Sequence, residues 1–189
     1  MNDMSSRIAA FAVLAPARFS SDEFEQIMQA GLDLDIKLEL AGGVLERMGP
    51  PSNEHSTGQT LVAYRLMSLL GANSLRLVRI ELAVRLDEET VRVPDLCLLN
   101  RPTDATGTLP ADAVELAIEI AEKTLAKDLG PKLEEYARAA IPNYWVVDSA
   151  SGVTHVYFEP SEGTYRRKLV VRFNEPLTVP GVDGSITLA

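Results

Sequence analysis

Only one cysteine, Cys97, occurs in the 189 residues. No disulfide framework can therefore staple the chain, and the expected setting is reducing and cytoplasmic. No apolar run reaches membrane-spanning length, so no membrane partner is expected. A short apolar patch near the start is preceded by Asp3 and interrupted by Pro16, a weak match to a signal peptide. Internal repeats and low-complexity segments are absent. Positive charge is scarce as well: 18 Lys and Arg face 27 Asp and Glu, a net charge of −9. Proteins that rely on phosphate contacts usually present a basic surface, so this balance argues against a simple nucleic-acid binder. It leaves room for a nuclease whose metal and a local basic patch meet the substrate. Arg76, Arg79, Arg85, Arg92, Arg166, Arg167, Lys168 and Arg172 are candidates for that patch; the plainer reading makes most of them solvated strand faces.

What is present suits a globular domain: 46% hydrophobic and 24% charged residues, in a chain long enough for a sizeable core. Residues 1–19 read as an N-terminal extension and 20–189 as a single domain. Ser20 with Glu23 forms a capping-box pattern for a helix over 20–31, ended by Gly31. Residues 35–48 read as a hairpin turning at Ala41-Gly42-Gly43. After the breaker Gly49-Pro50-Pro51, Ser52 or Asn53 can cap a helix over 53–70. Residues 75–80 and 81–86 look like two strands, or one strand bent near Glu81. A strand over 91–99, a polar loop over 100–114 and a strand through Glu119 follow. A helix comes next, with Asp128 as its cap and Pro131 in its first turn. Strands over 143–148, 153–158, 165–173 and 185–188 close the chain. The pattern is an α/β (α+β) domain: a central mixed β-sheet flanked by helices, with an N-terminal β-hairpin.

Two acids stand out. With a period of two, Val91, Val93, Asp95, Cys97 and Leu99 share one face. In the later strand Leu116, Ile118 and Ile120 point one way, while Glu119 lies among small residues on the other. A lone buried carboxylate is costly unless paired, hydrogen-bonded or bound to metal. Lys132 and Tyr136, four apart, share a face of the helix that follows. Two strand acids and a helix lysine can make a metal-dependent nuclease site. The acids would hold a hard cation and the lysine would add positive charge. The ordinary alternative is a strand-end acid, a satisfied sheet-edge charge and an unremarkable helix face. Glu39 reads as a further ligand or a solvent-facing hairpin acid. His55, in a first helical turn, reads as a metal or phosphate contact or an idle surface group. Trp145 and His155 read as structural.

The segments LELAGGVLERMGPPSNEH (38–55), VRVPDLCLL (91–99), LAIEIAEKT (116–124) and KLEEYARAAIPNYWVVD (132–148) together resemble the Uma-type "putative restriction endonuclease" family of the PD-(D/E)XK nuclease superfamily. The resemblance runs over about 20–188. It implies a restriction-endonuclease-like core with Asp95 and Glu119 as ligands of Mg²⁺ (or Mn²⁺). Lys132 would be the lysine moved from strand to helix. Glu39 and His55 would lie near the site, and Tyr136 would support the lysine. Nucleic acid, DNA above all, would be the substrate, and a homodimer would suit cutting of both strands. Ala121 stands where the superfamily lysine usually does. Glu122 replaces a usual serine, either as an added ligand or as a repulsion on phosphate. Val44 stands where an acid often follows the hairpin glycine. A non-catalytic binding module that kept the fold, or a phosphoesterase for small substrates, are the alternative readings.

Overall fold

A computed structural model describes residues 17–30, 37–104 and 107–189. The N-terminal apolar patch, the Gly31 helix stop and the first two residues of the expected hairpin lie outside them. The first helix, α1 (Ser21–Gln29), carries the expected capping box: the Ser20 side chain accepts from the Glu23 N–H, and the Glu23 carboxylate accepts from the Ser20 N–H. The hairpin follows as β1 (Lys37–Ala41) and β2 (Val44–Met48). Gly42 and Gly43 turn it at φ of 53° and 79°, a region glycine enters without penalty. Ser52 caps the long helix α2 (Asn53–Leu70), which buries Val62, Ala63 and Leu66.

The stretch expected as strands over 75–86 begins instead as a short helix, α3 (Ser74–Leu77). Only Val78–Ile80 forms β3, and the chain bends at Glu81 (φ 50°) before β4 (Val84–Arg85). The expected 91–99 strand divides in the same way into β5 (Val91–Arg92) and β6 (Leu96–Leu99). Pro94 accounts for the break, since it has no N–H for a ladder. The expected 100–114 loop contains a two-residue strand, β7 (Leu109–Pro110), and a 3₁₀ turn over Ala111–Ala113. Then come β8 (Val114–Ala121), α4 (Leu125–Asp128), α5 (Pro131–Arg138) and β9 (Asn143–Asp148). Asp128 does not cap the lysine helix. It ends α4, and Gly130 is the cap residue of α5. β10 (Val153–Ser161), β11 (Thr164–Arg172), β12 (Leu177–Thr178) and β13 (Ser185–Ile186) complete the chain.

Six strands form a mixed sheet in the order β11-β10-β9-β8-β6-β3, with β8 and β9 parallel and the other pairs antiparallel. A second sheet runs β2-β1-β5-β4-β7. β8 is buried on both faces, as its apolar run requires. Leu116, Ile118 and Ile120 pack with Leu66 and Trp145 on one side; Ala117 and Ala121 pack with Tyr136 and Tyr144 on the other. α2 lies close on the first side. A Cβ on Gly58 would stand 2.9 Å from Ile120 Cγ2. This contact brings the N-terminal turn of α2 over the end of β8.

Arg92 is buried, which corrects its place among solvated strand arginines. Its Nε and Nη2 donate to the two oxygens of Glu135 on α5 at 2.6 and 2.9 Å. Its Nη1 donates to Glu39 on β1 and Glu46 on β2, each at 2.9 Å. One guanidinium thus ties both hairpin strands to α5, using the planar fork that lysine lacks.

Two outcomes follow from this packing. Gly58→Ala should be destabilised by about 1–2 kcal/mol in urea unfolding, because the branched Ile120 side chain cannot yield easily. Alanine is the better helix former by about 1 kcal/mol, so unchanged or higher stability would show that α2 has room to move. Arg92→Leu should lose roughly 3–5 kcal/mol, since it takes a cation from the buried Glu39 and leaves the half-buried Glu135 unpaired. A loss below about 1 kcal/mol would mean that those acids find other partners.

Candidate active site

The bend that separates β3 from β4 and the break that separates β5 from β6 lie side by side. Ile80 pairs with Leu96, Val84 pairs with Arg92, and between them the Glu81 N–H donates to the Asp95 carbonyl at 3.2 Å. The Gln59 amide on α2 also donates to that carbonyl, at 3.1 Å. Asp95 therefore sits at the junction of the two sheets with its backbone pinned. Continuing the β6–β8 register would set Pro94 opposite Ile120. The ladder stops short of that pair, and Asp95 Oδ2 accepts from the Ile120 N–H at 2.7 Å. This places Asp95 beside Glu119, on the neighbouring strand.

Five charged side chains of the cleft are buried: Glu39 at 1% exposed, Asp128 at 2%, Asp95 at 5%, and Glu119 and Lys132 at 4% each. Lys132 Nζ reaches Glu119 Oε1 at 2.9 Å and Glu39 Oε1 at 3.2 Å. One helical turn on, the Tyr136 hydroxyl donates to the same Glu119 oxygen at 2.9 Å. The shared face of α5 and the inward face of Glu119 are thus as the spacing requires. Glu39 is no surface acid. Besides Lys132 it accepts from the Val93 N–H at 3.1 Å and from Arg92. His55 is not idle either; its Nε2 stands 3.1 Å from Asp95 Oδ1. Glu122 lines the same cleft. It accepts from the Ser52 hydroxyl, and Ser52 Oγ in turn accepts from the His55 N–H at 3.1 Å. Its carboxylate is thereby held at the positive end of α2.

These groups line a cleft of about 320 Å³. Burial pushes the Glu119 carboxyl up to about 8; Lys132 pulls it down, and Asp95, Asp128 and Glu39 add to the push. Burial also opposes the charge on Lys132, but Glu119 and then Glu39 outweigh it and hold the ammonium above the usual lysine range. Burial opposes the charge on Glu39 too, yet Lys132 and Arg92 keep it below the usual carboxylate range. The hydrogen bond to Asp95 raises His55, against its own burial. Tyr136, raised by burial, stays a donor.

The sequence reading missed several members of this cluster. Asp128, taken for a helix cap, is a buried cleft acid that accepts from the Thr124 hydroxyl at 2.5 Å. Lys127 reaches Glu46 at 2.8 Å and Glu39 at 3.5 Å. Glu81, beside Gln59 and Lys37, forms part of the wall. Arg92 had a legible signal. It stands between Val91 and Val93 in an apolar run, the same anomaly that marked Asp95. Lys127 and Asp128 had none, because they are brought in by the break at Gly130.

The donor set can be tested for a metal. Among the described residues no three His, Cys, Asp or Glu side chains stand together closely enough to hold an ion. Asp95 and Glu119 are nonetheless adjacent hard oxygen donors in a cleft where carboxylates outnumber cations. Mg²⁺ characteristically takes one or two carboxylates and fills its shell with water and substrate phosphate. The residues fit that demand.

Comparison with known proteins agrees with the fold. No curated protein matches the chain. A crystal structure of a "putative nuclease belonging to DUF820" from Anabaena variabilis ATCC 29413 superposes with a TM-score of 0.61 at 18% identity, over 86% of this chain and 89% of that one. The fold is thus that of this structural relative, a mixed sheet flanked by helices. The sequence model of the Uma2 family, described as "Putative restriction endonuclease", matches residues 21–189. With that match spanning nearly the whole chain, the protein belongs to the "putative restriction endonuclease" family.

Proposed function

We propose that the protein is a Mg²⁺-dependent (or Mn²⁺-dependent) nuclease that hydrolyses phosphodiester bonds of nucleic acid, DNA above all. The observation that carries the reading is Lys132, buried and held at 2.9 Å from Glu119 while Asp95 grips the next residue of the same strand. Asp95 and Glu119 would hold the cation. Bound there, it would lower the pKa of a water and offset negative charge on the phosphate.

The chain's own groups have defined parts. Lys132 keeps its proton, so it is a cation and donor for the phosphoryl oxygens, not a base. Tyr136 and Glu39 fix the ammonium and the Glu119 carboxyl that it meets. His55 orients Asp95 through Oδ1 while the Ile120 N–H takes Oδ2. Glu122, tied to Ser52, is a holder of the α2 terminus and not a ligand of the Asp95–Glu119 pair.

Calorimetric titration of Mn²⁺ should show binding to the wild type and a loss of about tenfold or more in affinity for Asp95→Asn, which keeps the shape and removes the charge. Equal binding by both proteins would remove Asp95 from the metal site. In a DNA cleavage assay Lys132→Gln should slow turnover by about 10²-fold or more while Mn²⁺ still binds. Cleavage at the wild-type rate would rule out the role given to Lys132. Metal binding with no cleavage of DNA or RNA by the wild type would mark a binding module instead.

A further inference from the structure

A chain with 27 acids and 18 bases repels a polyanion on average. Its cations are not evenly spread. β11 carries Arg166, Arg167, Lys168 and Arg172 within nine residues. It is an outer strand, hydrogen-bonded to β10 alone among the described residues, and of its nine residues only Tyr165 is buried. Alternation places Lys168, Val170 and Arg172 on one face of it. Arg166 stands two residues before Lys168, where the ladder skips the pair with Glu159 (φ 60°).

The register ties that face to the cleft. Val170 pairs with His155, His155 with Val146, and Val146 with Glu119. One row further, Arg172 pairs with Val153, Val153 with Asp148, and Asp148 with Ala121. Paired residues lie on the same side of a sheet. The basic face and Glu119 therefore look the same way, three strands or about 14 Å apart, with Arg172 nearest the end that carries the cleft. Lys168 is steadied over the Tyr157 ring at 5.2 Å. Arg166 and Arg172 have no ion pair among the described residues. Arg167 is different: it lies on the other face, over Phe158, with Glu159 3.9 Å away.

Alternate side chains on a strand repeat about every 7 Å, close to the spacing of successive phosphates along one nucleic-acid strand. We infer that the Lys168–Arg172 face of β11, with the exposed Arg166 at its far end, is a docking strip for the phosphodiester backbone of the nucleic acid, leading it toward the cleft. The inference rests on the nuclease reading, since strip and cleft would hold the same polymer. A second copy is the poorer occupant of this edge, because pairing β11 with itself would set four cations of each copy against four of the other.

The test is fluorescence anisotropy with a short labelled DNA duplex, in chelator and over a range of salt. Wild type, the triple variant R166A/K168A/R172A and the opposite-face variant Arg167→Ala are compared. All four side chains are exposed, and circular dichroism confirms that each variant is folded. The triple variant should bind at least about tenfold more weakly, with a salt slope smaller by about 2–3, while Arg167→Ala stays close to wild type. Equal affinity and slope in all three would overturn the strip. The cleft reading would survive that result, because Mn²⁺ calorimetry on Asp95→Asn decides it separately. No duplex binding by the wild type would overturn the strip, and the cleavage assay would then show whether the cleft reading falls too. A triple variant that changes only its sedimentation, from dimer to monomer, would reassign the edge to contact between copies.

Discussion

The Lys132 ammonium is the charge on which the cleft depends. It is buried, and an isolated ammonium there would cost several kcal/mol in lost hydration. Glu119 on β8 and Glu39 on β1 each offer it an oxygen within 3.2 Å. The two acids belong to different sheets, and the lysine belongs to a helix packed on both. Satisfying one ammonium therefore fixes the hairpin, the central strand and α5 relative to one another. Loss of either carboxylate would leave a buried cation with half its partners, so the three elements are specified together.

A second constraint is the backbone at the junction of the sheets. Two antiparallel strands, β3–β4 and β5–β6, cross from one sheet to the other in a common register, and each bends where it crosses. A bend frees N–H and C=O groups that must find partners when buried. Here the Glu81 N–H and the Gln59 amide take the Asp95 carbonyl, and the Asp95 carboxylate takes the Ile120 N–H. Asp95 and Glu119 come together because the ladder fails at Pro94, and a side chain completes what the ladder leaves open.

These two constraints explain what the sequence could and could not reveal. The alternation of β8 was legible because the strand is buried on both faces, and Glu119 was conspicuous among Ala117 and Ala121. Lys132 and Tyr136 were legible as one helical face. The capping box of α1, the Ser52 cap of α2 and the hairpin were legible because their chemistry is local. The division of 91–99 into two sheets was not, since period-two patterning continues through a bend. Nor was the fate of Glu39, which depends on where Arg92 and Lys132 arrive from 53 and 93 residues away in the chain. Asp128 was misread because a cap and a buried acid before a glycine look alike in sequence. Glu122 looked like an intruder among phosphate contacts; its partner Ser52, 70 residues earlier, appears only in three dimensions.

Two groups of acids in and beside the cleft differ in the source of their compensation. Glu39, Glu46 and Glu135 are met by the Arg92 guanidinium, with Lys127 and Lys132 adding to the first two. Their charge is matched by cations of the fold, and the cost of burying it is offset within the network. Asp95, Glu119 and Asp128 depend instead on an N–H, hydroxyls, one imidazole and a lysine already shared with Glu39. Burial raises Glu119 and Asp128 in spite of those donors. The first group is self-sufficient and holds the walls. The second is short of positive charge, and the shortage is concentrated where the two sheets meet. The fold commits its buried arginine to the wall acids and leaves the adjacent strand acids with less positive charge than their burial calls for.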